Sequence, residues 1–359
     1  MALSKIPSAG FQDNVKFRNI IINGDMSIAQ RGTSQSSVTT TGYYTVDRIQ
    51  WIADYGTVTL SQDTDVPSGQ GFAKSYKADV TTAGTVSSGG YVLIRQKIEG
   101  QNLQYLKKGT SSAESLTLSF WIKSTKTGTY IAELFDADNT RQISKAYTVS
   151  ASDTWEKKII TFAGDTTGAF DNDNGGSLFV NLYLSAGSDY TSGTLSTTWT
   201  ASTNTDRVVG QVDAQDSASN NIYFTGVQLE AGTTASDFEF LPVDINQQRC
   251  FRYFCKFDFP QTSPFFSSHQ QTTNTVRTAI ETPVPMRTTP TINGTGQPTI
   301  TYQDRSGTNV TVSSGTSLTV IGGSIDLNRF IASNASVTGI GQMVSAFAYS
   351  GDLECSAEL

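Results

Sequence analysis

Apolar and polar residues alternate along much of this chain with a period of two, which is the side-chain period of a β-strand. The clearest case is SLTLSFWIKS at 115–124, where the even-numbered residues after Ser115 are mainly apolar and Trp121 lies on the opposite face. The pattern predicts that one face packs on a core and the other points away from it. Similar composition predicts further strands at 43–53, 91–98, 129–137, 155–163, 177–186 and 222–229.

Two segments that are distant in sequence are predicted to lie in one domain. The alternation of 222–229 changes parity at Gly226, which predicts a β-bulge. A short apolar strand is predicted at 20–22, just before an Asn-Gly turn signal. We expect 20–22 to neighbour 222–229. A chain ending at Ser219 is then expected to lose cooperative folding, and one ending near Phe254 to keep it.

The strands are joined by polar turns rich in Gly, Ser, Thr and Asp, and amphipathic helices are scarce, which predicts an all-β protein. We predict a jelly-roll β-sandwich followed by a smaller β-sandwich, with an extended N-terminal arm. The arm has Ile6 and Phe11 as its apolar anchors and is expected to become ordered against a partner. The predicted bounds are 1–17 for the arm, 18–241 for the jelly roll, 242–254 for a short helical joint and 255–359 for the C-terminal β-sandwich.

Composition and charge restrict the classes of partner. The net charge of -7 and the pI near 4.8 argue against nucleic-acid binding through phosphates. No apolar run is long enough to cross a membrane, and the N-terminus lacks the apolar core of a signal peptide, so we expect synthesis in the cytoplasm without membrane insertion. The three cysteines are odd in number and widely spaced, which favours buried thiols over disulfides or zinc.

Catalytic and metal-binding patterns are weak. His269 is the only histidine and has no nearby thiol or glycine-flanked serine. Glu133, Asp136 and Asp138 are close in sequence, but strand parity separates Glu133 from Asp136. DNDNGG at 171–176 resembles a calcium loop, yet glycine occupies the third ligand position, so we interpret it as an Asx-rich turn. We predict no enzyme, no catalytic residue, no metal and no cofactor.

Several motifs in a fixed order carry a family resemblance. The chain opens with NIIINGDMSIAQRG, continues with YTVDRIQW and LTLSFWIKS, and closes its first domain with IYFTGVQLEAG and FEFLPVDINQQRCFRYF. Together they resemble the tail-fibre and adhesin proteins of tailed bacteriophage virions, whose first domain is similar to carbohydrate-binding-module jelly rolls. Such modules commonly hold a structural calcium ion. Here the matching positions look like Met26-Ser27 and Thr225-Gly226, which offer no carboxylate, so that site is expected to be absent.

The resemblance implies a virion protein, with a tail position favoured over a head position. We expect a tail fibre that attaches to the particle and recognises a host cell-surface glycan, either lipopolysaccharide or capsule. Other phage tail or capsid proteins would be its neighbours, and a homotrimer is expected because weak sugar sites gain from multivalency. The alternative is a capsid-surface decoration protein, or a purely structural tail protein, with no glycan binding.

Glycan recognition combines aromatic faces that stack on sugar rings with polar side chains that bind hydroxyl groups. The candidates in this sequence are Tyr44, Arg48, Gln50, Trp121, Tyr183 and Trp199. The alternative for each aromatic residue is a place in the core or at an interface. Asp47 and Arg48 are neighbours on a predicted strand and point to opposite faces. Each is therefore expected to meet a different partner, in a structural ion pair with a neighbouring strand.

Overall fold

The computed structural model describes residues 17–257, 281–291 and 354–359 with their side chains, and elsewhere within 258–353 the backbone of the strands alone. The arm residues Ile6 and Phe11 lie outside the described residues, as does the side chain of His269. Within the described part, no helix is long and apolar enough to cross a membrane.

The first two-thirds of the chain form two antiparallel sheets of six strands each. Sheet A has the order β1-β3-β4-β12-β6-β9, and sheet B has the order β11-β8-β7-β10-β5-β2. Their elements are β1 (Ser34–Val38), β2 (Gln50–Ala53), β3 (Thr57–Asp63), β4 (Ser75–Thr82), β5 (Tyr91–Glu99), β6 (Leu116–Ser124), β7 (Gly128–Asp136), β8 (Arg141–Val149), β9 (Glu156–Phe162), β10 (Gly176–Ala186), α1 (Ser188–Thr191), β11 (Thr200–Ala201) and β12 (Asn221–Ala231). Short 3-10 turns span Gly100–Asn102, Gln104–Leu106 and Asn204–Asp206.

The sheets pack face to face around one hydrophobic core, as the alternation predicts. In β6 the inward residues Leu118, Phe120 and Ile122 are fully buried. They meet inward residues of sheet B such as Leu134 and Leu182 in the same core cluster. The all-β prediction is confirmed.

The remaining elements follow the sandwich. They are α2 (Val243–Phe251), β13 (Phe254–Asp258), β14 (Pro264–Phe266), β15 (Ser268–Thr272), β16 (Thr275–Glu281), β17 (Thr291–Asn293), β18 (Ile300–Asp304), β19 (Asn309–Val312), β20 (Thr319–Gly323), β21 (Arg329–Ala335), β22 (Met343–Ala348) and β23 (Asp352–Ser356). They make three antiparallel sheets, ordered β13-β23-β17, β14-β22-β18-β19 and β15-β16-β21-β20.

The opening segment confirms the expected neighbour and corrects its conformation. Residues 20–22 are not a strand, but Ile20 N donates to Leu229 O at 2.9 Å and Val227 N donates to Gly24 O at 2.9 Å. Between these two contacts the Asn19 amide donates to Val227 O at 3.1 Å and accepts from Leu229 N at 3.1 Å. The opening segment therefore lies along the second half of β12 without forming a strand, because the Asn19 side chain makes hydrogen bonds that a neighbouring strand would otherwise make.

The predicted bulge in β12 is confirmed. The register of β12 against β6 shifts between Thr225 and Gln228, and Gly226 has φ +61. The ring of Phe72 lies where a side chain at Gly226 would point, at 2.5 Å from the position of a Cβ. Both the backbone angle and the close ring require glycine.

Some strand predictions need correction. The strand predicted at 43–53 is reduced to β2, because the chain turns before it and Arg48 has a left-handed φ of +71. Four longer strands were not predicted, namely β1, β3, β4 and β8. In β1 only Val38 is apolar, so it has no alternation to read. In β3 and β4 the alternation is present, with buried Val58 and Leu60 in β3 and Tyr76, Ala78 and Val80 in β4, but it is carried by few large apolar residues among Ser, Thr and Lys.

Candidate functional site

Arg48 lies in a buried ion-pair network rather than on a surface. Its side chain is 1% exposed, its Nη1 donates to the Glu358 carboxylate, and its Nη2 donates to Lys97 O at 2.8 Å. The guanidinium stacks on Tyr253 with 3.5 Å between Cζ and the ring centroid. Burial alone would lower the pKa of Arg48, but Glu358 raises it above its ordinary value. Arg48 is thus corrected from a glycan candidate to a structural residue.

Asp47 belongs to the same network through other atoms. Its carboxylate accepts from Gln30 N at 3.0 Å and from the Gln30 side chain, and lies 3.8 Å from Arg31 Nη1. Arg31 in turn donates to Glu358 at 3.2 Å. The expectation that Asp47 and Arg48 have different partners is confirmed. The partners come from a loop and from the C-terminal segment, so the expected pairing with a neighbouring strand is wrong.

Asp47 predicts a pH dependence of stability. Burial raises the pKa of Asp47 from 3.8 to about 6, although Arg31 opposes the rise. Between these two pKa values the folded protein keeps the Asp47 proton, whereas the unfolded chain has released it. The free energy of unfolding therefore falls as pH rises through this range, and Asp47 lowers it no further above about pH 6. Relative to the parent protein, Asp47→Asn is expected to gain stability from about pH 4 to about pH 6 and then level off. Urea unfolding across this range measures it, and a constant difference would contradict it.

Three other candidates point into the fold or along loops. Tyr183 is 1% exposed, and its hydroxyl donates to Glu133 at 3.1 Å, so it is corrected to a buried residue. Tyr44 packs against the core and donates to Thr40 O at 2.8 Å. Trp199 is half-buried beside the short edge strand β11, with its Nε1 donating to Ala163 O at 2.7 Å.

Trp121 lies half-buried on the outer face of sheet A, as predicted from its parity. In the next row of that face, Tyr223 lies 6.1 Å from Trp155 between ring centroids, and Lys123 Nζ lies 4.5 Å from the Tyr223 ring. Lys123 is neutralised by Asp65 and Asp153. This face offers aromatic rings, but its cation Lys123 already has carboxylate partners.

The outer face of sheet B carries a polar row that crosses five strands in register. The row reads Gln50, Arg95, Asn181, Glu133 and Ser144, on β2, β5, β10, β7 and β8. Arg95 Nε donates to Asn181 Oδ1 at 2.7 Å, and Asn181 Nδ2 donates to Glu133 Oε2 at 2.6 Å. Gln50, the one sequence candidate in this row, has a buried Oε1 without a hydrogen-bond partner.

The next row of the same face supplies two rings. Phe179 pairs with Lys97 on one side and with Phe135 on the other. The two phenyl rings are half-buried, with centroids 5.9 Å apart and planes inclined by 33°. Arg95 Cζ lies 5.0 Å from the Phe179 ring, and Arg207 Cζ lies 5.0 Å from the Phe135 ring. We call these two rows the sheet B face.

The long loop 187–215 covers the other end of this sheet. Its Tyr190, Leu195 and Val208 pack in one cluster with outward residues such as Ile52 and Ile131. From the same loop, Arg207 forms two bonds to Glu133, Nε to Oε1 at 2.7 Å and Nη2 to Oε2 at 2.8 Å. The loop therefore shields one half of the sheet and fixes a guanidinium at the border of the open half.

A separate cavity of about 380 Å³ lies beside the opening segment, and half-exposed Phe17 and Tyr105 contribute to its lining. Three of its polar side chains are already engaged. Gln96 bonds to the backbone of Ile22, and Arg252 and Tyr253 both donate to buried Glu99. The cavity lies between the opening segment, β5 and the residues at the end of α2.

The acidic residues weighed for catalysis serve other roles in the structure. Glu133 is fully buried and paired with Arg207, while Asp136 is fully buried and lies 2.5 Å from Lys108 Nζ. In the DNDNGG segment, Asp173 Oδ1 accepts from Gly175 N at 2.8 Å, which is the hydrogen bond of an Asx turn. Among the described residues, no group of acidic, cysteine or histidine side chains is arranged to hold a metal ion.

The sequence analysis missed most of the sheet B face. The sequence of each strand shows which of its residues face away from the core, and these include Arg95, Glu133, Phe135 and Phe179. It does not show which strands are adjacent, so it could not bring these residues together. Three of the four strand pairings in the polar row join strands that are not consecutive in sequence, namely β2 with β5, β5 with β10 and β10 with β7.

No protein-family model matches the chain, and no curated protein matches it. Similar solved structures include the enzymatically active domain of tailspike protein 4 of bacteriophage CBA120, with 15% identity and TM-score 0.32 over 60% of this chain and 21% of that chain. The family 11 carbohydrate-binding module of Clostridium thermocellum, in complex with a mixed-linked tetrasaccharide, has 13% identity and TM-score 0.28 over 57% of this chain and 99% of that chain. The N-terminal cellulose-binding domain of Cellulomonas fimi β-1,4-glucanase C has 12% identity and TM-score 0.28 over 52% and 90%.

The chain spans about a fifth of the length of the tailspike chain that it resembles. At TM-scores this low, these similarities decide nothing about function. The proposal for function is therefore based on the geometry of the sheet B face.

Proposed function

We propose that this protein binds carbohydrate and that the ligand lies on the sheet B face. The observation that carries the proposal is the pairing of half-buried Phe135 and Phe179 with the adjoining row of Gln50, Arg95 and Asn181. A sugar presents an apolar C–H face and a ring of hydroxyl groups. Aromatic faces suit the first, and amide and guanidinium groups suit the second.

The proposed biological setting is the bacteriophage virion, and it rests on the motif resemblance described above. The protein would be a tail fibre that binds host lipopolysaccharide or capsule and attaches through the arm that contains Ile6 and Phe11. It would act by binding rather than by catalysis. A capsid decoration protein with the same architecture remains the alternative, and deleting residues 2–16 and measuring incorporation into particles addresses the attachment.

The carbohydrate proposal is tested by probing a glycan array with the purified full-length chain. Binding to a defined group of bacterial surface glycans is the expected result. Absence of binding to all polysaccharides from susceptible hosts would favour a purely structural role.

Assembly as a homotrimer is a separate expectation, motivated by the gain in avidity when several weak sites engage one surface. Light scattering over a wide concentration range should give three times the mass of the 38.6 kDa chain. A constant mass of one chain would reject it.

A further inference from the structure

The sheet B face concentrates positive charge on a chain whose net charge is -7. We propose that its ligand is an acidic saccharide whose carboxylate or phosphate group binds Arg95. This inference rests on the proposed carbohydrate function and narrows the class of glycan.

Arg95 is a half-buried cation without a carboxylate partner. Its Nε donates to Asn181 Oδ1 at 2.7 Å, and its terminal N–H groups have no acceptor among the described residues and remain open to solvent. Burial lowers the pKa of Arg95 below its ordinary value, so its charge is incompletely compensated where it lies. An anion that accepts two bonds from these N–H groups would supply the missing partner.

The neighbouring carboxylate compensates the charge of Arg95 only in part, because burial outweighs the attraction of Glu133. Glu133 is the carboxylate of the row, but it already accepts from Arg207, Asn181 and Tyr183. On the other side, Lys97 Nζ donates to the Leu359 carbonyl oxygen at 2.9 Å. Burial, followed by the nearby charge of Arg95, lowers the pKa of Lys97. An anionic ligand would relieve this mutual repulsion of cations.

The outer face of sheet A shows the contrast. Lys123 lies against the Tyr223 ring there, but Asp65 and Asp153 both lie within ion-pair distance of it. Both faces thus place a cation against an aromatic ring. Among the described residues, Lys123 on sheet A has carboxylate partners, whereas Arg95 on the sheet B face has none.

A second polar atom is placed to read a hydroxyl group beside the anion. Gln50 is directly opposite Arg95 in the register of β2 and β5, and its Oε1 is buried without a donor. An unsatisfied buried carbonyl is costly. Because the Gln50 residue is only half-buried, a rotation of its side chain would turn Oε1 toward a ligand O–H. Together, Arg95 and Gln50 fit a sugar that carries an acidic group next to a hydroxyl, with its apolar face toward Phe179.

The test measures binding of the full-length chain to three sets of oligosaccharides of equal length: neutral, carboxylated and phosphorylated. We expect an acidic set to bind at least about tenfold more tightly than the neutral set, with an affinity that falls as salt rises. Arg95→Gln keeps a donor for Asn181 and should remove this preference and its salt dependence. Arg95→Lys keeps the charge but loses bidentate geometry, so an intermediate affinity is expected.

Lys157→Gln is the matched control, because Lys157 is an exposed cation on the outer face of the opposite sheet. It should change neither preference nor affinity. Equal binding of neutral and acidic sets, or an unchanged preference in Arg95→Gln, overturns the inference and leaves the carbohydrate function standing. Absence of binding to every set overturns the carbohydrate function itself. The carboxylated and phosphorylated sets distinguish the two sources of the anion.

Discussion

Replacing Glu358 by glutamine is expected to lower the free energy of unfolding by about 3 kcal/mol, because it leaves Arg48 buried without a counter-charge. Arg48 is 1% exposed, and Glu358 is 8% exposed. The other contacts of Arg48 include the Lys97 carbonyl and the Tyr253 ring, neither of which carries a charge. Urea unfolding followed by tryptophan fluorescence measures the effect, since all four tryptophans lie between residues 51 and 199 and report on the two-sheet sandwich.

Two further variants make this result specific. Glu114→Gln breaks an exposed pair with Lys107 and should change stability by less than about 1 kcal/mol. Changing Arg48 and Glu358 together to methionine should recover most of the loss, because both charges of this pair are removed and Arg31 keeps Asp47 as its carboxylate partner. An unfolding curve for Glu358→Gln that overlays the parent curve would show that the pair is unimportant. The same contacts revise the expectation for a chain ending near Phe254, which lacks Glu358 and should therefore be less stable.

Replacing Phe179 or Phe135 by alanine is expected to weaken glycan binding about tenfold or more, which corresponds to about 1.4 kcal/mol. The rings are half-buried and adjacent, so each presents part of its surface to a ligand and also supports its neighbour. Central aromatic residues of this kind commonly contribute most of the energy of a binding surface. Isothermal titration with a glycan identified on the array measures the loss.

The control for location is Trp121→Ala, which removes the half-buried indole from the outer face of sheet A. It should leave affinity unchanged if the ligand lies on the sheet B face. Loss of binding in Trp121→Ala, with retention in Phe179→Ala, would move the site to sheet A. Melting temperatures of all three variants show whether a loss of affinity comes from unfolding.

Side-chain parity was the most reliable guide to this fold. It placed Leu118 and Phe120 in the core, Trp121 outside it, and the bulge at Gly226. Local periodicity identifies the core and the bulge because each depends on residues that are close in sequence. The position of 20–22 beside β12 was expected from the closure of a jelly roll and from the motif resemblance, and its bonds come from the backbone and from Asn19 rather than from a strand ladder.

Features that depend on distant partners were not accessible in this way. The segment YTVDRIQW has the composition of a strand, yet Arg48 adopts a left-handed φ and turns toward a carboxylate 310 positions away. Gln50 was found among the candidates, whereas its partner Arg95 was not, since only the pairing of β2 with β5 brings them together. A single chain shows the parity of each strand but not which strands are adjacent.

The pairing of Arg48 with Glu358 also has a consequence for synthesis on the ribosome. At roughly 5–20 residues per second, the 310 residues that separate them take about 15–60 seconds to translate. Until Glu358 is made, Arg48 lacks this counter-charge, so the nascent sandwich should be less stable and more exposed to chaperones and proteases. A chain that ends before residue 358 keeps that defect, so cellular proteolysis should remove it faster than a chain that contains Glu358.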